Sequence, residues 1–238
     1  MQLTLGNIQA NRGDWEAARR SFESALKRYE IAQSELGRAN GQGNLGNMCM
    51  FQGELEEALR YHRKALEIHE QIGNPLDRAN ALSNIGTVRF RMTEFGEADT
   101  AYDTALGIYR EIGASLGEAS ALMNLGNVRF KQGKLKGALD MYERTLTIHQ
   151  EIGNSLGQAN ALTNLGSLQS KMGNYSDALE AAHQARSLYG KVGARTEGFK
   201  SVETLIKRLE AKQEGHDAKS SEADKAEGES PEASEPEG

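Results

Sequence analysis

Asparagine recurs in this chain where helical sequence normally avoids it. In steps of 40 residues the sequence places Asn40, Asn44, Asn47 and Phe51; Asn80, Asn84, Thr87 and Arg91; Ser120, Asn124, Asn127 and Lys131; and Asn160, Asn164, Ser167 and Lys171 at matching positions. Spacings of 4, 3 and 4 keep such side chains on one face of a helix. Asn7 and Asn11 extend the stripe backward, so that it holds eleven of the fourteen asparagines, and Asn74, Asn154 and Asn174 fall in turns. Asparagine costs a helix about 0.5–0.7 kcal/mol relative to alanine. A merely solvated face would be built more cheaply from Glu, Lys or Gln. The amide offers one donor group and one acceptor, which matches the alternating N–H and C=O groups of an extended backbone. The same amides could instead bond each other and tie neighbouring helices together.

Beside the stripe, Arg89, Arg91, Arg129, Lys131 and Lys171 gather toward the ends of the same segments. Cations there would attract acidic residues of a guest, and they would also suit the negative end of a helix dipole. No catalytic constellation accompanies them. There is no glycine-rich phosphate loop after a strand, no nucleophile elbow and no carboxylate pair in a recognisable setting. His69 and His149 share one phase without acidic or cysteine partners at metal spacing, and read as surface residues. His62 falls at an aromatic packing position. The expectation is a binding protein, not an enzyme, with no metal and no cofactor.

The elements that position the stripe follow from the same period. Gly6, Gly46, Gly86, Gly126 and Gly166 each follow a Leu or Ile, and Ala18, Ala58, Ala98, Ala138 and Ala178 run in step with them. Ala25, Ala65, Ala105, Thr145 and Ala185 form a third series, preceded three residues earlier by Phe22, His62, Tyr102, Tyr142 and Ala182. Each unit reads as two helices, such as 77–92 and then 135–152 in the following unit, separated by glycines at 53, 133 and 173 and ended by glycines at 73, 113, 153 and 193. A mid-helix glycine costs about 1 kcal/mol, so five at one phase imply close helix contact. A final segment, 196–212, carries Phe199, Val202, Leu205, Ile206 and Leu209 on one face and reads as a capping helix.

Small and aromatic residues at offsets 8, 20, 24 and 27 of the unit resemble the tetratricopeptide repeat, over residues 1 to about 195. The unit is 40 residues rather than the usual 34 or so, and it lacks the closing proline. Its Leu-Gly-Asn core, at Leu45-Gly46-Asn47 and Leu125-Gly126-Asn127, is similar to the repeats of spindle-orientation adaptors and kinesin light chains. The resemblance implies an all-α, right-handed solenoid of about five helix-turn-helix repeats (about 1–38, 39–78, 79–118, 119–158 and 159–195) with the capping helix at its end. It also implies that first helices line the concave side, where related proteins use amides to clamp an extended peptide. The site it points to is Asn40, Asn44, Asn47, Asn80, Asn84, Thr87, Arg91, Asn124, Asn127, Lys131, Asn160, Asn164 and Lys171. Gly43, Ser83, Met123 and Thr163 stand where carboxylate-gripping relatives carry lysine, which argues against that ligand class.

Composition sets the remaining bounds. The chain has 238 residues, 38% of them hydrophobic, and a net charge of −6. Residues 213–238 carry −7 of this, leaving +1 on the rest, so the body lacks the basic excess of a nucleic-acid binder. The tail is too poor in apolar residues to fold on itself and is expected to be disordered, and it could reach back to the cation row. A single cysteine, Cys49, fits a reducing, cytoplasmic setting, and no apolar run reaches membrane-spanning length. The expected partner is an extended, acidic segment of another protein. The alternative is a self-assembly module, or a fragment of a larger repeat protein, with Leu3, Leu5 and Ile8 of an uncapped first helix stacking on another copy.

Overall fold

The computed structural model describes residues 2–193 and 197–228 and is helical throughout them, without strands. The chain divides into two compact units at Ile152/Gly153. The first contains α1 (Gln2–Asn11), α2 (Trp15–Ile31), α3 (Glu35–Gln52), α4 (Leu55–Ile72), α5 (Pro75–Arg91), α6 (Phe95–Glu111), α7 (Ser115–Lys131) and α8 (Leu135–Glu151). These pack as consecutive hairpins, α1 with α2 through α7 with α8, and the second helix of each hairpin also packs on the first helix of the next. α1, α3, α5 and α7 touch their neighbours in turn, so first helices form one side of the unit. This is the stacked helix-turn-helix architecture that the 40-residue period implies.

Local chemistry sets the helix ends. Ser34 Oγ accepts the Gly37 N–H at 3.2 Å, and Asn74 Oδ1 accepts the Asp77 N–H at 3.2 Å ahead of Pro75 at the first turn. The turn between the two helices of a hairpin needs a left-handed residue, supplied by Gly13, Gly53 and Gly133 with φ of 80°, 83° and 76°. In the third hairpin this position falls to Thr93, with φ of 63°. A β-branched residue is strained there, so Thr93→Gly should raise stability by about 0.5–1 kcal/mol after allowing for the greater freedom of glycine in the unfolded chain. Chemical denaturation would read the gain as a higher midpoint at constant m-value.

Four of the five periodic mid-helix glycines seat rings, and the fifth, Gly166, lies instead against the Ala178 carbonyl and Leu205. A Cβ on Gly46 would lie 2.8 Å from the His62 ring, on Gly86 2.8 Å from Tyr102 and on Gly126 2.5 Å from Tyr142. Leu45, Val88, Leu122, Leu125 and Val128 are buried beside these contacts. At the start of the chain, Leu5 and Ile8 are exposed.

The second unit contains α9 (Ser155–Met172), α10 (Tyr175–Lys191) and α11 (Glu197–Gly228), with α11 packed on both others. Val202, Leu205, Ile206 and Leu209 are buried, as the amphipathic pattern predicts. α11 continues to Gly228, past residue 212 where the sequence pattern ended it. Ala, Glu and Lys in that stretch favour helix without any apolar face to bury. Residues 229–238 of the acidic tail, expected to be disordered, lie outside the described residues. No described helix is long and apolar enough to cross a membrane.

Candidate functional site

In the first unit the stripe lies on the side formed by the first helices. Asn40 and Asn80 are exposed, and Asn44, Asn47, Asn84, Asn124 and Asn127 are half-buried. No stripe asparagine bonds another among the hydrogen bonds of this unit. The partners are tyrosines of the second helices: Tyr109 Oη donates to Asn80 Oδ1 at 2.7 Å, and Tyr142 Oη to Asn127 Oδ1 at 2.8 Å. Tyr102 Oη donates to Thr87 Oγ1 at 3.0 Å, while the Thr87 hydroxyl donates to the Ser83 carbonyl at 3.0 Å. Thr87 therefore serves the packing of its own hairpin. Asn40, Asn44, Asn47, Asn84 and Asn124 have no hydrogen-bond partner among the described residues. Their side-chain amides reach water, since none is among the buried groups left without a partner, and a guest backbone would take the place of that water.

In the second unit Tyr189 Oη donates to Asn160 Oδ1 at 2.5 Å. Asn164 is half-buried, and Asn160 and Lys171 are exposed. The tyrosine-to-amide bond of α5 and α6 thus recurs between α9 and α10.

The cation row separates into different environments. Arg89 is largely buried, bonded to Glu94 and at 2.8 Å to Glu97, so it belongs to the α5–α6 turn. Arg91 is exposed and donates to the Met50 carbonyl of α3, tying neighbouring first helices. Lys131 is exposed, and the Arg129 stem packs over Gly137. Phe51 is 70% exposed and stacks at 6.3 Å on Trp15.

A cavity of about 380 Å³ opens among α1, α3, α4 and α5, lined chiefly by Asn40, Asn44, Asn47, Asn80 and Asn84. His62 and His69 also line it. The expectation that His69 and His149 lie on the surface is corrected here, since only 6% and 7% of these residues is exposed. Both take the packing position of Tyr29, Tyr109 and Tyr189, where half-polar rings fit. His62 is fully buried, neither ring nitrogen has a hydrogen-bond partner, and burial pulls its pKa down to about 4. Asp77 completes the wall, its Oδ2 3.9 Å from His69 Nδ1 and accepting from Asn74 Nδ2 at 2.7 Å.

One cluster escaped the sequence reading. Cys49 Sγ and the carboxylates of Glu54 and Glu57 lie within 4.8 Å of one another. Arg19 stands against them, 2.6 Å from Glu54 and 3.8 Å from Glu57. Burial and the two carboxylates push the Cys49 thiol up to about 12, so it stays protonated at neutral pH and does not act as a thiolate. Cys49 and Glu54 are only five residues apart, but Arg19 comes from the preceding hairpin, which hid the group.

Among solved structures, BtubC (BKLC) from P. vanneervenii shares the fold with a TM-score of 0.72 at 19% identity, over 81% of this chain and 80% of that one. The nearly identical TPR-like repeats assigned to a kinesin light chain of Podosopora anserina give 0.68 at 16% identity, over 81% and 94%. A Rap protein complexed with Competence and Sporulation Factor gives 0.62 at 18% identity, over 90% of this chain but 63% of that one. No curated protein matches the sequence. Sequence profiles described as the tetratricopeptide repeat match residues 37–111 and 117–191, and a second such profile matches residues 2–30. With the 40-residue period, the hairpin stack and these matches in agreement, the chain belongs to the tetratricopeptide repeat family.

Proposed function

We propose that the chain is a non-catalytic protein-interaction scaffold whose first-helix face holds an extended segment of a partner protein. The observation that carries this reading is the set of asparagines at 40, 44, 47, 84 and 124, which share one face and lack internal partners. Tyrosine bonds fix Asn80 and Asn127 in orientation, leaving their amide N–H groups for the same guest. Exposed Arg91 and Lys131, at the C-terminal ends of α5 and α7, would hold acidic residues of that segment. The complex of a Rap protein with Competence and Sporulation Factor, on the same fold, supports a binding role. On α9 the corresponding positions are held by Asn160, Asn164 and Lys171.

Selection of the full chain against a random peptide library tests the reading. The control is a variant carrying Asn44→Ala, Asn84→Ala and Asn124→Ala. These amides bond nothing in the protein, so the variant should melt within a few degrees of the parent. It should bind the selected peptide about 100-fold more weakly, as expected for three lost hydrogen bonds. Equal affinity, or no enriched peptide, would overturn the reading. Concentration-dependent self-association in that case would favour the alternative of copies stacking on α1, whose Leu5 and Ile8 are exposed.

A further inference from the structure

The cavity beside His62 marks the place where one hairpin departs from its sisters, and four departures surround it. His62 replaces the tyrosine found at 102 and 142, and His69 the tyrosine found at 29, 109 and 189. Gly43 stands where Ser83 and Met123 stand later, and Asp77 where Gly37 and Gly117 stand. In the later hairpins the phenols of Tyr102, Tyr109 and Tyr142 reach across and bond Thr87, Asn80 and Asn127. Both histidines stop short of that reach, and Gly43 adds no side chain. Asn40 and Asn47 are therefore left without the phenol that their counterparts Asn80 and Asn127 receive. The space these changes leave is the cavity of about 380 Å³, within the range of ligand pockets.

Its lining selects among guests by charge. Among the described residues Asp77 is the only carboxylate on the wall, and no lysine or arginine lines it. The asparagines and the neutral imidazoles offer both donors and acceptors, so the Asp77 carboxylate alone gives the lining a charge preference. The buried His62 ring leaves one N–H donor and one acceptor nitrogen without a partner at the edge of this pocket. A group with positive charge can pair with Asp77 while the asparagine oxygens accept its N–H groups, whereas a carboxylate would face Asp77 across the pocket.

We infer that this cavity is a specificity pocket for one cationic side chain, arginine or lysine, of the segment held on the amide face. The inference rests on the peptide-binding reading for its biological context but is tested apart from it. N-acetylarginine methylamide, with the glutamine and glutamate analogues for comparison, is titrated into the full chain. Imidazole nitrogen signals of His62 and His69 are followed by long-range ¹H–¹⁵N correlation. The arginine probe should shift both histidines and bind about tenfold more tightly than the glutamate probe. Asp77→Gly, which restores the residue found at 37 and 117, should weaken the arginine probe about tenfold and lower the melting point by a few degrees, because the bond to Asn74 at the start of α5 is lost.

His62→Tyr should close the pocket by donating to Asn47 as Tyr142 donates to Asn127. It should stay folded and lose the probe. No histidine shift up to the solubility limit of the probe overturns the pocket. Equal binding of the glutamine probe, tighter binding of the glutamate probe, or undiminished arginine binding by Asp77→Gly overturns its cation selectivity. None of these outcomes alters the result of the triple asparagine variant, so the two readings fail separately.

Discussion

Replacing Gly126 with leucine should cost the protein at least about 3 kcal/mol, the upper part of the range for overpacked cores. Even a methyl on Gly126 would lie 2.5 Å from Tyr142 Cε1 and 2.7 Å from Cδ1. Tyr142 is only 2% exposed, and its hydroxyl is anchored on Asn127, so the ring has little room to withdraw. Pushing it aside would break that bond and part α7 from α8. The control is Gly43→Ala on α3, where nothing lies within 4 Å of the added atom. There the better helix propensity of alanine should raise stability by up to about 1 kcal/mol. Tyr142→Ala should be less damaging in the Gly126→Leu background than in the parent, because the cavity it leaves accepts part of the leucine. Denaturant melts of the single and double variants measure that coupling. Additive losses would show that the glycine is kept for some reason other than the ring.

Gly126 also shows what the sequence could reveal. A glycine inside a helix is anomalous locally, and repetition at one phase turns the anomaly into a packing rule. The alanines at 58, 98 and 138 obey the same logic, and all are fully buried. The stripe was equally legible, because 4-3-4 spacing defines a helix face whatever the helix packs against. Its internal bonding was harder to read. The tyrosine hydroxyls meet their amides or hydroxyls 15 residues away (Tyr102 with Thr87, Tyr142 with Asn127) or 29 away (Tyr109 with Asn80, Tyr189 with Asn160). Those separations recur with the repeat, so comparing copies for polar pairs could have found them.

Single-copy departures were the hardest to interpret. His62, Gly43 and Asp77 each look like drift in one repeat and His69 recurs only as His149, so only the hairpin geometry brings the four around one cavity. Polar residues at periodic positions also suggest a surface, which is why His69 and His149 were misplaced. A ring that fills a tyrosine position is buried by its neighbours whatever its own polarity. Thr93 was silent for the opposite reason, since the turn geometry is imposed by the hairpin and tolerated by the residue.

Acidification should expose the cost of burying His62. Lowering the pH from 7 to 4 should destabilise the parent by about 3 kcal/mol more than a His62→Phe variant. The imidazole sits over Gly46, fully buried, and burial lowers its pKa from the usual 6.5 to about 4. Between those two values the unfolded chain takes up a proton that the folded chain refuses. Stability due to this residue is therefore complete above about 6.5, falls as the pH drops toward 4 and levels off below that. His149, also lowered by burial, adds loss in the same direction, but it is present in both proteins and cancels in the difference. Phenylalanine is a fair replacement because Phe22 occupies the same phase over Gly6, where an added Cβ would lie 2.4 Å from its ring. Parallel denaturant titrations across this pH range give the difference directly. Curves that stay parallel would mean that the ring is protonated in the folded state, and that a neighbour such as Asn47 or a bound water supports the charge.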